Sequence, residues 1–158
     1  LLASAGDDGT VRLWGVEARV LRETATAHAR KARAVVFSPD GHHLASAGGD
    51  GEVRLTSLAS GAEAERLVAS PRGCTSLAYA PDGRALAAAG ADGKVRIWEL
   101  PSRLLASTIQ AHGKEVRALA FHGPTLATAA SDGIRLWCWP GARPAGTLAA
   151  RGQPASLA

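Results

Sequence analysis

Methionine is absent from this chain of 158 residues, and aromatic side chains make up only 4% of it. Without an initiator Met, the chain is expected to be a piece of something longer. Cysteine is scarce too. Cys74 and Cys138 are the two, and neither has a partner at CxxC spacing. That excludes a disulfide framework or a thiolate metal site, and points to free thiols in a reducing, cytoplasmic setting. No apolar run approaches the ~18 residues of a membrane-spanning helix. The amino terminus has no basic segment followed by a long apolar one, so no secretory signal is read. No GxxxxGK[ST] or GxGxxG stretch leads into a helix, which excludes the common phosphate-binding loops. Helical signal is weak throughout. The Ala-rich segment Ala59–Val68 could be a helix, although its place in the pattern below is that of a strand.

What the chain has is repetition. Leu86–Trp98 reads LAAAGADGKVRIW, and the same pattern returns as LASAGDDGTVRLW from Leu2, LASAGGDGEVRLT from Leu44 and LATAASDGIRLW from Leu126. Asp8, Asp50, Asp92 and Asp132 therefore recur about every forty residues, a period that marks a propeller or solenoid. Apolar residues are 46% of the chain, enough for a core, and 18 glycines and eight prolines supply turns for many short strands. Within each copy, Val11 and Leu13 point one way and Arg12 and Trp14 the other, by the two-residue period of a strand. Ser38–Gly41 and Ala80–Gly83 read as turns, with Pro presetting φ and Gly taking the left-handed position. Gly123-Pro124 is a shorter turn at the same place. Phe37, Tyr79 and Phe121 keep the repeat period and are expected to fill equivalent sites between units. The units run over residues 1–27, 28–69, 70–111 and 112–150, with 151–158 opening another, and together form one domain without a linker.

The formal net charge is +4. Arg12, Arg54, Arg96 and Arg135 occupy one repeat position, so part of that excess belongs to the lattice. Arg30, Lys31 and Arg33 form the only tight basic cluster.

These residues resemble the WD-repeat β-propeller family over essentially the whole chain. The pattern is a His, a Ser or Thr, Asp-Gly, then Val-Arg-Leu-Trp, and four in-phase copies make it specific. The Trp-Asp ending is degraded: Gly15, Glu99 and Cys138 follow Trp14, Trp98 and Trp137. The resemblance implies an all-β fold of about four blades, each of four antiparallel strands, as a partial ring or half of a closed one. It also implies a structural tetrad. In the last full repeat this is His112, Thr128, Asp132 and Trp137. In the second it is His28, Ser46 and Asp50, with Thr56 where Trp is expected. The third keeps Asp92 and Trp98 but has Ser70 for His and Ala88 for the hydroxyl, and the first shows Ser4, Asp8 and Trp14. A buried Asp must be hydrogen-bonded, and an indole N–H can only donate, so such a network suits a structural role. The third repeat's loops should be the most mobile.

His112, Thr128 and Asp132 could pass for a nucleophilic triad, but a copy of the set in another blade argues against catalysis. His42 and His43 face opposite ways on a strand and cannot share a metal, so neither metal nor cofactor is expected. Partner-binding candidates are the residues after the repeat His and before the turn Asp: Lys31, Arg33, Thr75, Glu115, Arg117, Asp7 and Ser131. The function read from this is a non-enzymatic scaffold for protein–protein contacts, with self-association possible to close the ring. Alternatives are a regulatory propeller within a larger signalling enzyme, such as a kinase fusion, and a nucleic-acid-binding propeller. Net charge and the Arg30–Arg33 cluster suggest the last, against which stands the lattice origin of part of that charge.

Overall fold

The computed structural model describes residues 1–60, 63–100 and 102–148. It contains fifteen strands and no helix among those residues. They form four antiparallel sheets. Sheet 1 is β1 (Leu2–Ala5), β2 (Thr10–Gly15) and β3 (Val20–Thr26). Sheet 2 is β4 (Ala32–Phe37), β5 (His43–Gly48), β6 (Glu52–Ser57) and β7 (Glu63–Val68). Sheet 3 is β8 (Cys74–Tyr79), β9 (Ala85–Gly90), β10 (Lys94–Glu99) and β11 (Leu105–Gln110). Sheet 4 is β12 (Val116–His122), β13 (Thr125–Ala130), β14 (Gly133–Cys138) and β15 (Arg143–Leu148). Every strand pairs with its sequence neighbour, so each sheet is an up-and-down meander. The Ala-rich segment open to either reading is strand from Glu63. The unit expected to open at 151–158 lies outside the described residues.

The register repeats with the sequence. Leu2 pairs with Trp14, Leu44 with Thr56, Leu86 with Trp98 and Leu126 with Trp137. A register shift recurs at the same repeat position of the strand after each Asp-Gly turn, between Leu13 and Trp14, Leu55 and Thr56, Ile97 and Trp98, and Leu136 and Trp137. Such irregularities raise local twist, and here each sheet twists at one place.

Alanine is a poor strand former by propensity, yet β9 is ALAAAG and buried throughout. Tertiary burial overrides the preference. Second strands lie between neighbouring sheets, and small side chains let the sheets approach. The space is filled by larger residues from elsewhere. Val53, Leu55, Leu77, Leu86 and Trp98 form the core between sheets 2 and 3, and Val95, Ile97, Leu119, Leu126 and Trp137 form that between sheets 3 and 4. Burying one such side chain contributes about 1.5–3 kcal/mol. Phe37, Tyr79 and Phe121 each pack on a different one of the three inter-sheet clusters. β1, β4, β8 and β12, one strand from each sheet, follow one another along the inner side. The four blades form an arc whose ring is not closed. No helix is long and apolar enough to cross a membrane.

The Asp-Gly turns join blade to blade. Gly9, Gly51 and Gly93 have positive φ, and their carbonyls accept the amides of His28, Ser70 and His112 in the loop that enters the next blade, each at 3.0 Å. A Cβ on Gly51 would sit 1.9 Å from the Ser70 carbonyl oxygen, whereas one on Gly41 would meet nothing within 4 Å. Gly41→Ala is therefore expected to cost only the left-handed penalty of about 1–2 kcal/mol. Gly51→Ala should cost about 1–3 kcal/mol more, because backbone must move. Urea unfolding of the two variants checks this, and equal midpoints would contradict it.

Candidate functional site

The repeated polar residues converge at the Asp-Gly end of each blade. In sheet 4, His112 Nδ1 lies 2.5 Å from Asp132 Oδ1 and His112 Nε2 lies 3.0 Å from Thr128 Oγ1. The Trp137 indole N–H donates to the same hydroxyl at 3.0 Å. His112, Thr128 and Trp137 are all buried. In sheet 2, His28 Nδ1 lies 3.0 Å from Asp50, and His28 Nε2 lies 2.9 Å from Ser46 Oγ. Asp50 also accepts the amides of Ala29 and Glu52. A carboxylate only accepts, so Nδ1 carries the proton facing Asp50. In the neutral ring Nε2 then accepts from the Ser46 hydroxyl.

Each His spans two blades. Its backbone amide is held by the preceding blade's turn glycine, and its side chain is held by the following blade. Room for the ring comes from a residue the sequence reading passed over. A Cβ on Gly48 would lie 2.4 Å from His28 Nδ1, so the ring as placed in blade 2 uses the space of the missing side chain, whereas blade 4 seats His112 beside Ala130. The signal was present as a glycine two residues before the turn Asp in three of the four copies.

Sheets 1 and 3 keep parts of this network. Trp14 donates to Ser4 Oγ at 3.0 Å, and Asp8 accepts from Thr10 and Arg12. In sheet 3, Ser70 is buried and retains the backbone bond to Gly51, but its side chain does not reach Asp92. Asp92 is held by Arg96 at 2.8 Å and by the Lys94 amide. Ala88 and Trp98 are buried. In sheet 3 the lattice arginine holds the Asp without a His, whereas in sheet 4 Arg135 and His112 both reach Asp132. Where His28 holds Asp50, Arg54 turns to Glu52 at 2.9 Å.

The groups of the network are bonded to one another around the turn. Burial is the largest influence on His28 and lowers its pKa below the usual 6.5, against the opposing pull of Asp50. Burial alone would raise Asp50, but the Glu52 and Ala29 amides and His28 hold it below 3.8. No buried hydroxyl in the set faces open solvent as a nucleophile would. Among the described residues no group of three or more His, Cys, Asp or Glu could hold a metal. Cys74 is buried and its thiol is pushed up to about 12, chiefly by burial, whereas Cys138 is exposed.

A second constellation lies at the inner ends of the blades. Six of the candidate contact residues, Asp7, Lys31, Arg33, Thr75, Glu115 and Arg117, line one open cavity of about 650 Å³ to which all four blades contribute. Ser131 is not among its lining residues. The cavity's charges are largely answered from within. Lys31 pairs with Asp7 of the neighbouring blade, and Arg33 reaches Glu115 of blade 4 at 3.4 Å. Thr75 donates to the Val116 carbonyl. Two cations of the Arg30–Arg33 cluster, Lys31 and Arg33, are thus ion-paired.

Two outcomes are expected. Because His28 is held neutral when folded, protons bind the unfolded chain preferentially. Stability is at its full value above pH 6.5 and falls as pH drops below it, levelling off once pH passes the lowered folded value. Asp50 adds a separate loss below 3.8. Urea midpoints at pH 7.5 and 5.5 should fall for the native chain and fall less for His28→Gln, and parallel falls would contradict this. Hydrogen exchange at the Ala91–Lys94 turn should be about tenfold faster than at Gly49–Glu52, whose Asp keeps its His. Equal rates would show that Arg96 substitutes fully.

The chain matches the family described as WD domain, G-beta repeat over residues 1–15, 19–57 and 65–99. Over 43 residues it is 51% identical to the mouse F-box-like/WD repeat-containing protein TBL1X and 49% identical to the human F-box-like/WD repeat-containing protein TBL1Y. Each of these alignments covers 27% of this chain and 8% of the relative, so only a small share of either relative is spanned. Blade 4 lies beyond the family match, yet it carries the same meander, register and polar set as blade 2. On its repeats, its sheets and the match over more than half its length, the chain belongs to the WD-domain, G-beta repeat family.

Proposed function

We propose that the chain is a non-catalytic platform for protein–protein contacts, and that its contact face is the cavity where the four blades meet. The supporting observation is that residues from all four blades line one opening, held by backbone that the turn network fixes. Fixed loops lose little conformational freedom on association, so contacts made there are not offset by ordering. The exposed pairs Lys31–Asp7 and Arg33–Glu115 contribute only about 0–1 kcal/mol each, so a partner can replace either half at low cost. The side chains at the opening come from loop positions that the tetrad does not use, which leaves them free to suit a partner. An active site would require a nucleophile or acid–base pair aimed into a pocket, and the convergent polar groups here are already spent on each other. Placement inside a larger signalling protein is compatible with the same role, since the platform would then recognise partners on behalf of the joined domain.

A photo-crosslinking residue placed at Lys31 or Arg33, with Thr108 on the outer strand β11 as control, tests the reading in native extract. Discrete protein adducts are expected from the first two positions and not from Thr108. Adducts that vanish on nuclease treatment, or that form equally at Thr108, would overturn it.

A further inference from the structure

The far ends of the strands, opposite the Asp-Gly turns, carry a feature that the repeat lattice does not require. Trp139 occupies the repeat position held by Leu58 and Leu100, and it shares their backbone bond. Leu58, Leu100 and Trp139 donate their amides to His42, Arg84 and Pro124 carbonyls respectively. Leucine satisfies that position in two blades. In blade 4 an indole stands there, half-buried on the core between sheets 3 and 4. The surplus ring separates two cavities. One, of about 460 Å³, lies towards Pro81, Asp82 and Pro124. The other, of about 250 Å³, is lined by Glu99, Ala106, Ser107, Trp139, Pro140 and Gly141.

Glu99 lines both cavities and is the only charged residue of the smaller one among the described residues. It is exposed, and among the described residues it makes no ion pair and its carboxylate accepts only from Ser102 Oγ at 3.4 Å. Of the other acids at this end, Glu65 pairs with Arg103 and Asp82 accepts the Arg84 amide. Arg84 lines the larger cavity, where its amide donates to Asp82, and does not line the smaller one. The smaller cavity thus offers an aromatic face and an unpaired carboxylate between rigid, apolar walls.

We infer that this groove between blades 3 and 4 receives an arginine side chain from a partner protein, its guanidinium stacked on the Trp139 indole and paired with the Glu99 carboxylate. A flat, weakly hydrated cation suits an indole face, and its forked N–H groups match a carboxylate in a way an ammonium does not. A single aromatic wall cannot enclose a quaternary ammonium, which favours guanidinium over a methylated amine. Tryptophan and arginine are the residues that most often dominate contact energies. This surface is separate from the blade-end opening, so its failure would leave the platform reading intact.

The test is titration of the 158-residue chain with N-acetyl-arginine methylamide, followed on the indole N–H resonances. Trp139→Leu identifies the Trp139 signal and restores the residue that blades 2 and 3 use, so folding is retained. The Trp139 signal should shift at millimolar ligand, while those of Trp98 and Trp137 in the core stay still. The lysine analogue should bind several-fold more weakly, and Glu99→Gln should weaken the arginine probe about tenfold. Absence of any Trp139 shift at tens of millimolar would overturn the assignment. So would a shift that Glu99→Gln leaves unchanged, or one that lysine reproduces at equal concentration.

Discussion

Everything in this chain hangs on the bond between a turn carbonyl and the amide that opens the next blade. Gly9, Gly51 and Gly93 each present a carbonyl that cannot be reached unless the turn glycine has positive φ and no Cβ. A four-stranded sheet alone exposes two apolar faces and is not stable in water. Stacking hides those faces, but burial is non-directional and would tolerate many angles between sheets. The 3.0 Å bonds fix the angle. His28 and His112 then carry the constraint inward by tying the same loops to the Asp of their own blade. Position comes from hydrogen bonds and stability from the apolar clusters, and neither suffices without the other.

This division explains why much of the fold could be read from the sequence. The Asp-Gly copies, the Val-x-Leu alternation and the evenly placed Phe37, Tyr79 and Phe121 are residue identities, and identities are visible in a string of letters. The family and the blade pattern followed from them. What stayed hidden depended on distance. Gly48 looks like any strand-ending glycine until its missing Cβ is found against the His28 ring. The basic cluster looked available because Asp7 and Glu115 are remote in sequence, and only the curvature of the arc brings Glu115 to Arg33. Trp139 was passed over because pattern reading stops where the motif stops, two residues earlier at Trp137. The strand or helix ambiguity at Ala59–Val68 arose from alanine content, and pairing of β7 with β6 settled it for Glu63–Val68.

Degraded repeats are informative about which part of the network matters. Sheet 3 has lost the imidazole and the hydroxyl, yet keeps the backbone bond of Ser70 to Gly51 and a neutralised Asp92. Sheet 2 has lost the Trp and keeps everything else. The conserved minimum within this one chain is therefore a turn glycine that bonds the next loop, plus a carboxylate with a cationic or N–H partner. That ordering follows from cost. In sheets 2 and 3, where Asp50 and Asp92 are half-buried, a carboxylate without a donor costs more than a missing side-chain hydrogen bond between neutral groups, which costs roughly 1 kcal/mol. Sequence drift removes the cheap bonds and spares the dear ones.

The same reasoning separates the two ends of the blades. At the Asp-Gly end, charge is abundant but mutually satisfied, so a partner gains mainly by exchanging one ion pair for another. Exposed pairs are worth little in either direction, so such contacts favour selectivity and approach rate over affinity. At the opposite end the Glu99 carboxylate, outside any ion pair among the described residues, stands beside a large apolar ring. A cation arriving there breaks no existing ion pair and covers apolar surface as it binds. Affinity is more readily gained where nothing must first be given up. A platform with one end for selection and the other for holding could grip a partner along the depth of the blades, from the central opening around to the groove beside Trp139.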